Sequence, residues 1–286
     1  MAGRVQSALM ARWRSRRRAG PARLLADLLA RGRTCRYGAH DSQVADLHLP
    51  RGAGPHPVVV VLHGGAWRAR VGRAVMRGVV GELVRAGWAA WNVEYRRVGE
   101  GGGWPQTFAD VADAVDHLRQ LDAPLALDAV SALGHSAGGH LALWAASRAR
   151  LPAGSVGAQP ALALARAVAQ AGVCDLAGAY ERWHGGAVRE LMGGSPQQLP
   201  ERYAVADPLA LVPAPAPVLL VHGVLDRVVS IELARSYAAA SRARGGEVEL
   251  LEIDGPAGGH RRHVNPRTVA WRSAAAWLGE APVRAR

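Results

Sequence analysis

One serine in the chain is placed to attack: it lies in Leu133-Gly134-His135-Ser136-Ala137-Gly138-Gly139-His140. The apolar run Asp128 to Leu133 precedes it and Leu141-Ala142-Leu143-Trp144-Ala145-Ala146 follows, so the segment reads as strand, sharp turn, helix. In Gly134-x-Ser136-x-Gly138 the residues two before and two after the serine must be small, because backbone and neighbouring strands close in on the turn. The turn lifts the hydroxyl above the sheet edge, and the helix that follows aims its N-terminal N–H groups at the same point. A serine hydroxyl is a weak nucleophile near neutral pH. It needs a base within hydrogen-bond reach and a carboxylate that fixes the tautomer of that base. Asp226 follows the apolar run Pro217 to Val221, and His260 follows Glu247 to Ile253, which puts both on strand-end loops at the same edge as Ser136. Acyl transfer also requires donors for a tetrahedral oxyanion. Gly64 and Gly65 in His63-Gly64-Gly65-Ala66-Trp67 can turn their N–H groups inward, and Ala137 supplies the N–H after the nucleophile.

Other residues compete for these roles. His263 lies just beyond His260, but Gly258-Gly259 free the loop before His260, whereas Arg261 and Arg262 point to a more solvated surface after it. Asp175 follows a strand too early in the chain, and Asp254 sits close enough to His260 to cap a turn instead. His117, His140, His184 and His222 read as structural or surface residues. No histidine pair has ligand spacing on one helix face, so neither a metal nor another cofactor is expected.

Strands alternate with helices along the chain, the pattern of a mostly parallel sheet flanked by helices. Val44 to Pro50 alternates in character and ends at proline, as an edge strand does. Val58 to Leu62 is an unbroken β-branched and leucine run, expected of a strand covered on both faces. Trp88 to Val93, Ala167 to Val173, Pro217 to Val221 and Glu247 to Ile253 add strands. Phe108, Val111, Ala112, Val115 and Leu118 give one helix an apolar face, and further helices are expected at Ile231 to Ala243 and Pro266 to Leu278. Residues 175–213 break the alternation with Trp183 and several glycines and prolines. They read as a cap-like insertion of short helices which, with Trp67, would wall a substrate pocket. In the loop after Glu94-Tyr95, Arg96 is expected to pair with Asp110 and tie that loop to the next helix.

The formal charge of +12 suggests a polyanion partner until its distribution is read. Ten of the 35 basic residues lie before residue 37, opposed there by Asp27 alone, while from residue 37 onward 25 arginines face 22 acids. Every basic residue is arginine, which points to a compositional bias of the chain and not to a nucleic-acid face. Arg12-Trp13-Arg14-Ser15-Arg16-Arg17-Arg18 reads as a solvated arm, and Met10 offers another start. Leu24, Leu25, Leu28 and Leu29 make an amphipathic stripe suited to an accessory helix. The expected organisation is an arm and accessory helix over residues 1–36, then one catalytic domain over 37–286. No apolar run is long enough for a membrane span and no secretory core is visible, so a cytoplasmic location is expected. Cys35 and Cys174 have neither metal nor redox spacing.

With these residues assembled, the chain resembles an α/β-hydrolase of the esterase/lipase type, in the branch with kynurenine formamidase-like and hormone-sensitive-lipase-like serine hydrolases. The resemblance covers about residues 37 to 280. It rests on His63-Gly64-Gly65-Ala66-Trp67, Glu94-Tyr95-Arg96, Gly134 to His140, His222-Gly223 with Asp226, and Gly259-His260 with Asn265-Pro266. It implies Ser136 as nucleophile, His260 as base, Asp226 as its orienting acid, and Gly64, Gly65 and Ala137 as oxyanion donors. The Arg-rich first 36 residues and Asn265, where related enzymes often carry Asp, depart from the family pattern. The expected activity is that of a carboxylesterase acting on a small-molecule ester. Its close rival is an arylformamidase cleaving N-formylkynurenine, an amide substrate that the same groups would serve. A peptidase is a third reading, weakened because the chain has no room for a propeller-sized extra domain. A non-catalytic reading has the arginine arm binding nucleic acid or a membrane; homo-oligomers fit any of these.

Overall fold

The structure is a computed structural model that describes residues 32–279. Eight strands form one sheet: β1 (Arg33–Arg36), β2 (Val44–His48), β3 (His56–Leu62), β4 (Ala89–Val93), β5 (Leu125–His135), β6 (Arg166–Gln170), β7 (Val218–Gly223) and β8 (Val248–Ile253). Their spatial order is β1-β2-β4-β3-β5-β6-β7-β8. The pairs β1/β2 and β2/β4 are antiparallel and every later pair is parallel. The helices are α1 (Arg77–Ala86), α2 (Gln106–Asp116), α3 (Ala137–Ser147), α4 (Leu176–Arg182), α5 (Gly186–Met192), α6 (Pro200–Ala206), α7 (Ile231–Ala243) and α8 (Val269–Leu278). This is the mostly parallel, helix-flanked sheet of the α/β-hydrolase fold.

The β-branched run of β3 works as its composition demands. Val58, Val60 and Leu62 enter a core with Trp91, Phe108, Val111, Leu141 and Trp144, while Val59 and Val61 enter another with Val79, Leu83, Trp271 and Ala274. Both faces are therefore helix-covered, and each fully buried valine contributes about 1.5–3 kcal/mol of transfer free energy. α2 turns its apolar face into the first of these cores, and α8 turns its tryptophans and alanines into the second.

Three expectations change. β2 is not the edge: β1 pairs along its outer side from Arg33↔Leu47 to Arg36↔Val44. Arg33–Arg36, inside the stretch assigned from sequence to the arm, thus belong to the sheet; the rest of that arm and its leucine stripe lie outside the described residues. β6 stops at Gln170, because Ala171 takes a left-handed φ of 46° and turns the chain out of the sheet before Val173. Residues 175–213 form α4, α5 and α6, as the broken alternation suggested.

Candidate active site

Ser136 sits between β5 and α3 with φ 56° and ψ −119°, a conformation that costs a non-glycine residue about 1–3 kcal/mol. Its surroundings hold it there. Ser136 N–H donates to Gln170 O on β6 (2.9 Å), and His140 N–H donates back to Ser136 O (3.2 Å). A Cβ at Gly134 would collide with the backbone of Gly138, and one at Gly138 with the Leu62 carbonyl, so the small residues are required by close approach. Among the described residues the Ser136 hydroxyl has no hydrogen-bond partner.

Asp226 and His260 meet as the strand-end argument required. Asp226 follows β7 and His260 follows β8, and His260 Nδ1 lies 2.8 Å from Asp226 Oδ2. The other carboxylate oxygen accepts N–H from Val228 (2.8 Å) and Val229 (3.1 Å), which fixes its rotamer. Burial opposes the charge of Asp226, but the His260 hydrogen bond and charge and the two backbone donors outweigh it and hold the carboxyl below the usual range. With Nδ1 bound to the carboxylate, Nε2 is the nitrogen left to exchange a proton. The imidazole lies beside the Ser136 turn, its ring centroid 4.7 Å from that of His135.

Gly64 closes the opposite side. A Cβ added there would stand 3.1 Å from Ser136 Cβ and 2.8 Å from the His135 carbonyl. Gly65, Ala66 and Trp67 all have positive φ (122°, 54° and 56°), so the chain makes an abrupt turn directly after β3. The N–H groups of Gly64, Gly65 and Ala137 donate to no other protein group among the described residues. Beneath this turn lies a polar layer that sequence reasoning quoted in its motifs without assigning roles. His63 places Nδ1 2.8 Å from Gly64 O and Nε2 2.7 Å from Glu94 Oε1. The Tyr95 hydroxyl donates to His63 O (2.7 Å), with the two rings stacked at 4.3 Å. Glu94 also accepts Arg73 N–H (2.9 Å) and faces Arg97 at 3.3 Å. Burial works against its ionisation, but the His63 hydrogen bond and these neighbours lower its pKa. Nearby, Asp110 is fully buried and accepts from Arg96 N–H (2.8 Å), Arg96 Nη2 (2.6 Å) and Gln43 Nε2 (2.8 Å), so the expected tie between loop and helix is present.

Two placements differ from expectation. Trp67 is 1% exposed and sets its indole edge-on to His140, 5.3 Å between centroids, so it belongs to the interior below the turn and not to an open pocket wall. His263 is buried, not solvated, although Arg261 and Arg262 before it are exposed. Its ring lies 6.4 Å from that of His135, and burial pushes its pKa down to about 4. Asp175 caps α4 by accepting Gly178 N–H (2.7 Å) and stays out of the site, as does exposed Asp254. The insertion is moored on this side of the molecule. Arg68, just after the turn that follows β3, pairs with Glu190 of α5 through two bonds (2.6 and 2.7 Å), and Trp104 N–H donates to Leu191 O. His140 and Trp144 of α3 reach the carbonyls of Ala206 and Val205 in α6. No cluster of three or more metal-ligating side chains occurs among the described residues, and no helix there is long and apolar enough to cross a membrane.

Fold and motifs together define an esterase/lipase-type α/β-hydrolase. The BD-FAE family model matches residues 45–240, and the chain belongs to that family. Among curated proteins, the chain is 29% identical over 255 residues to esterase LipC of Mycobacterium tuberculosis, covering 78% of this chain and 58% of that one. It is 30% identical over 196 residues to esterase LipQ of the same organism, covering 66% of this chain and 46% of that one. The chain thus spans about half the length of these relatives. Its fold is shared with a truncated carbohydrate esterase from gut microbiota, with a TM-score of 0.71, 20% identity, and 87% of this chain and 95% of that chain covered. It is shared also with Thermogutta terrifontis esterase 2, with a TM-score of 0.69, 22% identity, and coverage of 89% and 95%.

Proposed function

We propose that the chain hydrolyses small carboxylic esters through an acyl-enzyme on Ser136. The observation that carries this reading is the His260 Nδ1–Asp226 bond of 2.8 Å beside a serine held at positive φ. His260 Nε2 takes the Ser136 proton as Oγ attacks the ester carbonyl. The carbonyl oxygen becomes an oxyanion met by the free N–H groups of Gly64, Gly65 and Ala137. Collapse expels the alcohol, which leaves with the proton from His260. Water then adds with His260 again as base, and the carboxylic acid departs from Ser136. Asp226 stays ionised throughout and stabilises the transient imidazolium. The esterase names of LipC and LipQ favour an ester over the formamide reading.

The test is kcat/KM for p-nitrophenyl acetate and butyrate beside N-formylkynurenine, with Ser136→Ala as control. Ester turnover that falls at least about 10³-fold in Ser136→Ala is expected. Turnover surviving in that variant overturns the reading, and a large preference for N-formylkynurenine moves the substrate to the formamide class.

A further inference from the structure

The residue before the nucleophile has a side chain for which acyl transfer as described above has no use. His135 is buried between the nucleophile turn, the turn after β3 and the loop bearing His260. Its Nε2 lies 2.9 Å from the main-chain carbonyl of His260. A carbonyl can only accept, so Nε2 carries the hydrogen and Nδ1 is bare. Burial, followed by the neighbouring His260 charge, pushes the His135 pKa down to about 3, so the ring is neutral wherever an esterase would be assayed. Nδ1 faces Gly64, where an added Cβ would stand 3.0 Å from it. One rigid ring therefore touches the loop of the base, the turn of the oxyanion donors and, through its own backbone, the nucleophile.

We infer that His135 is a positioning residue, whose Nε2–H fixes the main chain of His260 relative to Ser136. The inference rests on the roles proposed for Ser136 and His260. The need for such a tie follows from the loop. His260 follows Gly258 and Gly259 in two short 3-10 turns and precedes exposed Arg261 and Arg262, so neither pair of residues next to it in sequence anchors its peptide through a packed side chain. Asp226 orients the imidazole ring but does not hold the peptide that carries it. The His135 bond does, and it spans 125 residues of sequence to reach the segment next to the nucleophile. Displacement of a reacting group by about 1 Å can cost about 10²-fold in rate, so a hydrogen bond to this peptide acts on turnover without touching substrate.

Two variants of the full chain separate positioning from packing. His135→Phe keeps the ring and removes the donor. His135→Gln keeps an N–H near the position of Nε2 and loses the ring. Turnover of p-nitrophenyl acetate is expected to fall about tenfold or more in kcat for His135→Phe with KM changed less than about twofold, and to return to within about threefold of the native value in His135→Gln. Equal losses in both variants, or a loss confined to KM, would mean the ring only fills space and would overturn the inference. So would full kcat in His135→Phe. Ser136→Ala measured alongside keeps the two readings apart. If that variant is active, the acyl-enzyme reading fails first; if it is inactive while His135→Phe is fully active, only the positioning role is lost. Should His135→Phe fail to fold, His135→Gln beside His135→Leu gives the same contrast of donor against no donor.

Discussion

Replacing Asp226 by asparagine tests the proposed chemistry through a single proton. The native carboxylate spends one oxygen on Val228 and Val229 N–H and the other on His260 Nδ1. An asparagine has one acceptor and one donor end. Its carbonyl must face the two backbone donors, because the NH2 group would be repelled there, so the NH2 group points at His260. A donor facing Nδ1 forces the hydrogen onto Nε2, which is then unable to take the proton of Ser136. The variant also loses the charge that stabilises the imidazolium. At about 4 Å between charge centres and an effective dielectric near 20, that loss is about 4 kcal/mol. This corresponds to about 10³-fold in rate. Because both backbone N–H groups keep an acceptor and the side chain keeps its size, the fold should persist. The assay is kcat/KM for p-nitrophenyl acetate at pH 8 with thermal unfolding by circular dichroism on the same preparation. A folded Asp226→Asn variant within tenfold of native activity would refute the assignment of Asp226 as the orienting acid.

Two further outcomes follow from buried charge. Asp110→Asn leaves Arg96 with a neutral partner in a fully buried position, and should lower unfolding free energy by about 2–4 kcal/mol in urea titration; an unchanged midpoint would remove the tie as a stabilising element. Burial lowers the pKa of His135 to about 3 and those of His140 and His263 to about 4, against about 6.5 for an unfolded histidine. Between those values the unfolded chain binds protons that the folded one refuses, so stability rises with pH across that window and is lost on acidification. The depressed carboxyls of Glu94 and Asp226 act in the same direction at lower pH: their contribution is present above the unfolded carboxyl range and disappears as pH falls through their folded values. The urea midpoint should therefore decline steadily from about pH 6.5 downward, well before ordinary carboxylates titrate; a midpoint flat to pH 4 would contradict the burial of these rings.

What the sequence disclosed and what it concealed divide along a physical line. The placement of Ser136, Asp226 and His260 at one sheet edge was legible because each lies after a strand-forming run, and a parallel sheet brings the ends of such strands to one edge. β3 was legible from its unbroken valines, and α7 begins and ends where its periodicity places it. β1 was not, since Arg33-Thr34-Cys35-Arg36 is mostly exposed and held by backbone pairing and by side-chain hydrogen bonds such as Thr34–Asp46, neither of which leaves a hydropathy signal. His263 was misplaced because its neighbours Arg261 and Arg262 are exposed, while its own ring is buried near His135. Glu94 was visible as part of a motif, but its bond to His63 joins residues 31 apart and needs the parallel pairing of β3 with β4 before it exists.

That pairing also explains how a strained serine is tolerated. Ser136 occupies a backbone state that the chain would leave if any one anchor were soft. The turn is clamped on one flank by β6, through Gln170 O, and on the other by the turn after β3, through the contact of Gly64 with His135 and Ser136. The β3 turn is itself at positive φ for Gly65, Ala66 and Trp67, so it does not hold its shape alone. Its support is the buried layer below: Tyr95 holds the carbonyl of His63, the His63 ring reaches Gly64 O, and Glu94 holds the far side of that ring. Strain at Ser136 is thus offset by buried polar bonds one strand away. A change such as Glu94→Gln, which removes a charge without touching Ser136, acts on the turn after β3 first and reaches the serine only through Gly64.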